Sequence, residues 1–302
     1  MLEQRPLGAT GLSVSRLGFG GAAIGIDGYL ADEKRTNAVV RERAAAAIEA
    51  ALDEGVTLFD TAPGYGFGLS ETIFGEVLAP RRHAVVLATK VKVERGQTSE
   101  DWTRSVAASL ERLRTDRVDL LQLHGLSWPD DLADWTMGAG VVDWLEDMKA
   151  RGWTRAIGIT AEVPSGGLER LIDTRRFDVL QMAFSVIYQG ACDYQRAPFG
   201  PIPRARALGM GILTMRAATS GVFQKLLRAE FPELDPARIT RLALRFVLST
   251  PEVDCALVGM RSPQEARGNA ALFRDPKARI DIGALHDFFD GRGRPSPPKE
   301  GA

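Results

Sequence analysis

What most limits the fold of this chain is a repeated alternation of two patterns. Short apolar runs of strand length are each followed by a stretch with helical periodicity, and the pair recurs eight times. The runs are Leu17–Gly21, Val56–Asp60, Ala84–Lys90, Val118–Leu123, Arg155–Ile159, Val179–Met182, Gly211–Met215 and Ala256–Val258. The first expected helix covers 42–54, with Ile48 and Leu52 at i and i+4. Others are expected near 70–78, after Thr98-Ser99, over 141–148, over 168–172, near 203–208, from Asp235-Pro236 to about 249, and from Ser262 onward. Asp235-Pro236 reads as an N-cap and first helical residue, and Ser262-Pro263-Gln264-Glu265 as a capping box. One more helix is expected after Asp281.

Ahead of the first unit, Gly11 between Leu2–Arg5 and Leu12–Ser15 suggests a small hairpin. Residues 22–40, 127–139 and 216–234 read as loops. Eight strand–helix units without a linker-like break predict one (β/α)8 barrel over residues 1–302, class α/β, with an N-terminal hairpin. A doubly wound sheet is the alternative, but no Gly-x-Gly-x-x-Gly turn follows an early strand.

Composition narrows the function. The 302 residues are 45% hydrophobic and 25% charged, and 38 Lys+Arg against 39 Asp+Glu leave a formal charge of −1. That balance gives no electrostatic footprint for nucleic acid or an acidic membrane. No apolar run approaches the ~20 residues of a membrane helix. Met1–Pro6 lacks the apolar core of a signal peptide. Cys192 and Cys255 match no metal spacing and read as reduced thiols. A cytoplasmic enzyme or binding protein is expected.

On a parallel barrel the C-terminal strand ends meet at one face, where the chemistry sits. Three successive strand ends deliver polar groups there: Asp60, with Tyr65 on the loop Thr61-Ala62-Pro63-Gly64-Tyr65-Gly66, then Lys90, then His124. A lysine cation beside a phenol would favour phenolate and lower a pKa that is ordinarily about 10. Asp60 would hold that lysine charged, and His124 could orient a carbonyl oxygen between itself and Tyr65. Such a set suits polarising a C=O while a hydride arrives. Paired glycosidase carboxylates, a Ser/His/Asp set and clustered metal ligands are not seen.

These residues make the chain resemble the aldo-keto reductase superfamily over nearly its whole length. Leu7–Ser15 looks like the family's amino-terminal hairpin, and Asp60-Thr61-Ala62 with Tyr65-Gly66 and Ser70-Glu71 is similar to its second-strand signature. The resemblance implies a catalytic tetrad of Asp60, Tyr65, Lys90 and His124, with Tyr65 as general acid/base. It also implies NADP(H), with NAD(H) as the second option, lying across the barrel mouth. Gly20, Thr160, Gln181, Met215, Arg216, Gly259, Arg261 and Asn269 are the implied cofactor contacts, with Gln181 at the carboxamide and Arg261 at a 2′-phosphate. The Gly-Phe-Gly-Leu-Ser-Glu run at 66–71 is similar to the branch containing aldose and pyridoxal dehydrogenases.

Three positions depart from the family's pattern. Its Ser-Asn pair after the fifth barrel strand is Thr160-Ala161, the position of its stacking aromatic holds Met215 followed by Arg216, and Gly268 stands where an acidic adenine contact is common. The expected substrate is a small aldehyde, ketone or sugar, with Trp128, Phe223 and Phe231 as candidate walls. The competing readings are a Schiff-base lyase using Lys90 and a non-catalytic, cofactor-sensing subunit. Nothing in the sequence argues for an oligomeric state.

Overall fold

The computed structural model describes residues 1–26, 37–193 and 199–289. Strands β1 (Gln4–Pro6) and β2 (Ser13–Ser15) form the antiparallel hairpin, with Arg5 opposite Val14. Eight further strands follow: β3 (Leu17–Gly20), β4 (Leu58–Asp60), β5 (Val86–Val91), β6 (Val118–Leu123), β7 (Thr154–Ala161), β8 (Val179–Ala183), β9 (Gly211–Met215) and β10 (Cys255–Val258). They pair in chain order, all parallel, and β10 closes on β3. The fold is a (β/α)8 barrel, and closure excludes the doubly wound alternative.

Strand side chains alternate between two faces. One face fills the barrel interior with Leu58, Val86, Ala88, Leu120, Ala156, Val179, Leu213, Cys255 and Leu257. Leu7, Leu12 and Val14 of the hairpin join the same apolar cluster and plug the barrel from below. β3 contributes Gly18 here, because a Cβ would lie 2.7 Å from Cys255 Sγ and 2.8 Å from Leu257 Cδ2. The other face packs against the helices; Phe19, Phe59 and Phe74 form an aromatic trio there, with ring centroids 5.7–5.8 Å apart.

At the bottom of the barrel, polar side chains clip neighbouring strands together. Ser15 and Thr57, just before β3 and β4, exchange bonds between hydroxyl and backbone N–H at 2.8 and 2.9 Å. Asp119 of β6 accepts Leu87 N–H of β5, Asp178 before β8 accepts Ile157 N–H of β7, and Asp254 before β10 accepts Ile212 N–H of β9, each at 2.9 Å. Each clip satisfies a backbone donor in the densely packed bottom half of the barrel.

Two expected loops contain helices. Asp130–Gly138 buries Ala133 and Thr136, and Val222–Glu230 presents half-buried Phe223, Gln224 and Leu227 at helical spacing. The second is pinned by Gln224, which donates to Thr240 Oγ1 at 3.0 Å on the following helix. The long early loop contributes a short helix, Ala22–Gly25, and the next helix begins at Asn37; residues 27–36 lie outside the described set. The capping box expected at Ser262 is half formed. Ser262 Oγ accepts Glu265 N–H at 3.2 Å, but the Glu265 carboxylate accepts Arg261 N–H instead of that of Ser262. A complete box sits at Thr98 and Asp101. The helix after Asp281 is present, at Ile282–Phe289. Among the described residues, no helix is long and apolar enough to cross a membrane.

The clip at Asp254 also pairs with Arg206 at 2.7 Å. Asp254→Ala is therefore expected to lower stability by about 1–3 kcal/mol, by leaving Ile212 N–H buried without its acceptor. The midpoint of urea unfolding checks this.

Candidate active site

In four of the strands the interior parity runs upward from an apolar residue to a polar one. Leu58 gives way to Asp60, Ala88 to Lys90, Leu120 to Gln122 and Val179 to Gln181. The alternation that fills the core thus also places four polar groups in one layer at the top of the barrel.

Lys90 anchors that layer. Its side chain is fully buried, and Nζ donates to both Asp60 carboxylate oxygens at 2.7 Å and to Thr61 O at 2.8 Å. Gln122 Nε2 donates to Asp60 Oδ1 at 3.2 Å and to Gln181 Oε1 at 2.8 Å. Gln181 Nε2 reaches Asp60 Oδ2 at 3.5 Å and Met215 Sδ at 3.7 Å. Above them, the Tyr65 ring centroid lies 5.0 Å from Lys90 Nζ. His124 meets Tyr65 edge-on, with ring centroids 6.0 Å apart at 85°. The structure therefore brings Asp60, Tyr65, Lys90 and His124 together.

Electrostatics follow from burial. Desolvation pushes the Asp60 carboxyl up, and the Lys90 charge and hydrogen bonds from Lys90 and the two glutamines pull against it. Desolvation also opposes the Lys90 cation, but Asp60 and Tyr65 outweigh it and raise the amine above its ordinary value. The pair is held as an ammonium with a carboxylate, because each partner's charge offsets the other's desolvation. His124 has no such compensation. Desolvation first, then Lys90 and Lys92, lower its pKa to about 3, so the imidazole is neutral at pH 7.

The loop carrying Tyr65 is fixed by close backbone approach. Gly66 has φ +66°, and a Cβ on it would fall 1.9 Å from Gly25 O. Ser70 Oγ accepts from Thr61 Oγ1 at 2.8 Å and donates to Gly21 O at 3.0 Å. Glu71 is fully buried, accepting from Thr89 Oγ1 at 2.6 Å and Arg112 Nε at 2.7 Å. The Ser70-Glu71 pair thus holds the loop against β5 and the following helix.

Of the expected cofactor residues, several end barrel strands and three are already engaged by neighbours. Gly20 ends β3 opposite Asp60, and Met215 ends β9. The Thr160 hydroxyl both accepts from Gly125 N–H and donates to Gly125 O at 2.9 Å, so it is spent on backbone. Arg216, at φ +58°, pairs with Glu162 at 2.5 Å and donates to Ser220 Oγ at 3.0 Å. Gly259 is exposed, Asn269 is half-buried, and Arg261 Nη2 pairs with Glu265 Oε1 at 2.9 Å.

Gln122, Glu162 and Glu265 were not expected in the site. Gln122 was legible, because it shares strand parity with Leu120 and His124. The two glutamates were not, since their partners are set by loop geometry. Trp128 is not a pocket wall: it is buried, and its indole N–H donates to Thr160 O at 2.8 Å. Phe231 is exposed and Phe223 half-buried. A cavity of about 480 Å³ opens at the opposite, bottom end beside Arg5, Gly8, Arg206 and Asp254. Its arginines are held by Glu3 and Asp254, and it meets none of the strand-end groups.

A depressed histidine has a signed consequence. The unfolded state binds the His124 proton near pH 6.5 and the folded state only near pH 3. Between those values the unfolded state carries more protons, so this group's contribution to stability falls as pH falls through that window. Its imidazole NMR signals should show no titration midpoint above about pH 5, and His124→Gln should lose less stability than wild type between pH 7 and 5. A His124 midpoint near 6.5 would overturn the neutral assignment.

Comparison with known proteins agrees with this geometry. The description of the Aldo/keto reductase family matches residues 16–286. L-galactose dehydrogenase of Arabidopsis thaliana is 30% identical over 296 residues, covering 89% of this chain and 88% of that protein. Pyridoxal 4-dehydrogenase of Microbacterium luteolum is 28% identical over 337 residues, covering 90% and 93%. An aldo/keto reductase from Klebsiella pneumoniae, solved in complex with NADP and acetate, superposes with a TM-score of 0.72 at 21% identity, covering 98% of each chain, which speaks to the fold alone. With that match over most of its length, the chain belongs to the aldo/keto reductase family.

Proposed function

We propose that this chain is an NAD(P)H-dependent oxidoreductase that interconverts a carbonyl and an alcohol, with Tyr65 as general acid/base. The observation that carries the reading is the buried Lys90–Asp60 ion pair directly beneath the Tyr65 ring. A cation held there stabilises the negative charge left on the phenol oxygen as its proton passes to a substrate oxygen. Asp60 keeps that cation charged where burial would otherwise discharge it. A neutral His124 retains one N–H to donate, so it can orient the carbonyl oxygen toward Tyr65 without adding a competing proton source. In the oxidative direction the same groups act in reverse, with Tyr65 accepting the alcohol proton.

The donor set around the mouth fits a dinucleotide. Two guanidiniums, Arg216 and Arg261, and the first turn of the helix Pro263–Arg274 follow adjacent strands, and phosphates would meet them in competition with Glu162 and Glu265. Gln181 is the carboxamide partner, because its Nε2 has only long contacts, 3.5 Å to Asp60 and 3.7 Å to Met215 Sδ. Gly20, Thr160, Met215, Gly259 and Asn269 are read as the remaining cofactor contacts. When bound, the nicotinamide supplies or accepts the hydride. A substrate of the aldehyde, ketone or sugar class is consistent with relatives named as L-galactose and pyridoxal dehydrogenases.

Lys90 is poorly suited to Schiff-base chemistry. Its ammonium is fully buried and committed to both Asp60 oxygens and Thr61 O, so no free amine faces a substrate.

The test is NADPH and NADH turnover with aromatic aldehydes, pyridoxal and sugars, in both directions, for wild type and Tyr65→Phe. Turnover should fall by about 10²–10⁴-fold in the variant, with cofactor Kd changed less than about twofold. Full turnover in Tyr65→Phe would remove the acid/base assignment. Tight cofactor binding with no turnover of any substrate by wild type would favour a sensing subunit.

A further inference from the structure

Arg261, the side chain placed to meet a 2′-phosphate, is already gripped by a carboxylate of its own loop. Glu265 accepts Arg261 N–H through Oε2 at 2.8 Å and Arg261 Nη2 through Oε1 at 2.9 Å, taking both backbone and fork. The two side chains are exposed to nearly the same degree, 38% and 37%, at the start of the helix Pro263–Arg274. Glu265 is held in place independently, since its backbone N–H is capped by Ser262 Oγ at 3.2 Å. The local charge of this helix start is therefore cancelled rather than positive. A 2′-phosphate arriving here would compete with a carboxylate for the guanidinium and be repelled by it. A ribose 2′-hydroxyl would meet no such penalty, because a carboxylate accepts its hydrogen bond.

We propose that Glu265 sets cofactor choice in this chain, converting the adenosine-ribose end of the groove from a 2′-phosphate site to one that accepts a 2′-hydroxyl at least as well. The inference rests on the nicotinamide reading above and adds to it the residue that decides between NADH and NADPH. Glu265 touches no reacting atom, so its signature lies in binding.

Isothermal titration of NADPH and NADH into wild type, Glu265→Gln, Arg261→Ala and the double variant separates the possibilities. Glu265→Gln keeps an acceptor for Arg261 N–H and leaves the Ser262 cap in place, so the fold is retained. Wild type is expected to favour NADPH by no more than about threefold. Glu265→Gln should tighten NADPH by about tenfold, leave NADH within about twofold, and lose most of that gain at high salt. Arg261→Ala should cost little NADPH affinity in wild type and about tenfold in the Glu265→Gln background, which is the coupling expected of a masked cation.

An unchanged ratio of NADPH to NADH affinity in Glu265→Gln overturns the inference while leaving the redox reading intact, as does a wild type favouring NADPH by about a hundredfold. Failure of every form to bind either dinucleotide overturns both.

Discussion

Burying an ammonium and a carboxylate in the same layer of the barrel constrains everything around them. Neither charge is tolerable there alone; removing one partner of such a pair costs roughly 3–5 kcal/mol because the survivor stays buried. Lys90 and Asp60 coexist because every donor and acceptor is matched, by each other, by Thr61 O, and by the amides of Gln122 and Gln181. That requirement fixes the ends of β4, β5, β6 and β8 relative to one another. The layer below is apolar, and the plug of Leu7, Leu12 and Val14 closes it from the hairpin side.

The depression of His124 comes first from its burial, and the Lys90 and Lys92 charges act in the same direction. The site thus holds one charged pair at its floor and a neutral imidazole above it. Under the function proposed above, a neutral carbonyl would suit that environment, with oxygen charge stabilised only as it develops.

Much of this was legible in the sequence, because strand parity is a strong constraint. Once the strands are recognised, Leu58/Asp60 and Ala88/Lys90 must share a face, and the barrel brings strand ends together. Gln122 obeys the same rule. The limits were equally physical. The helix Val222–Glu230 is nine residues long and buries none of them completely, and it reads as loop. Glu162 and Glu265 depend on the path of connecting segments, which no periodicity encodes. Trp128 illustrates the ambiguity of a lone aromatic: its ring could have faced a ligand, but the backbone carbonyl of Thr160 captured its N–H.

The clips beneath the barrel join β3 to β4, β5 to β6, β7 to β8 and β9 to β10, and no two clips share a strand. The polar contacts of the upper layer join strands that belong to different clips. Lys90–Asp60 spans β5 and β4, Gln122–Gln181 ties β6 to β8, and Gln181–Met215 spans β8 and β9. On top of the continuous backbone ladder, the barrel thus carries four two-strand fastenings at its foot and a set of side-chain ties at the upper ends of β4, β5, β6, β8 and β9. A substitution in the upper layer is then also a change to the ties between strands at the rim, while the ladder that closes the cylinder stays in place.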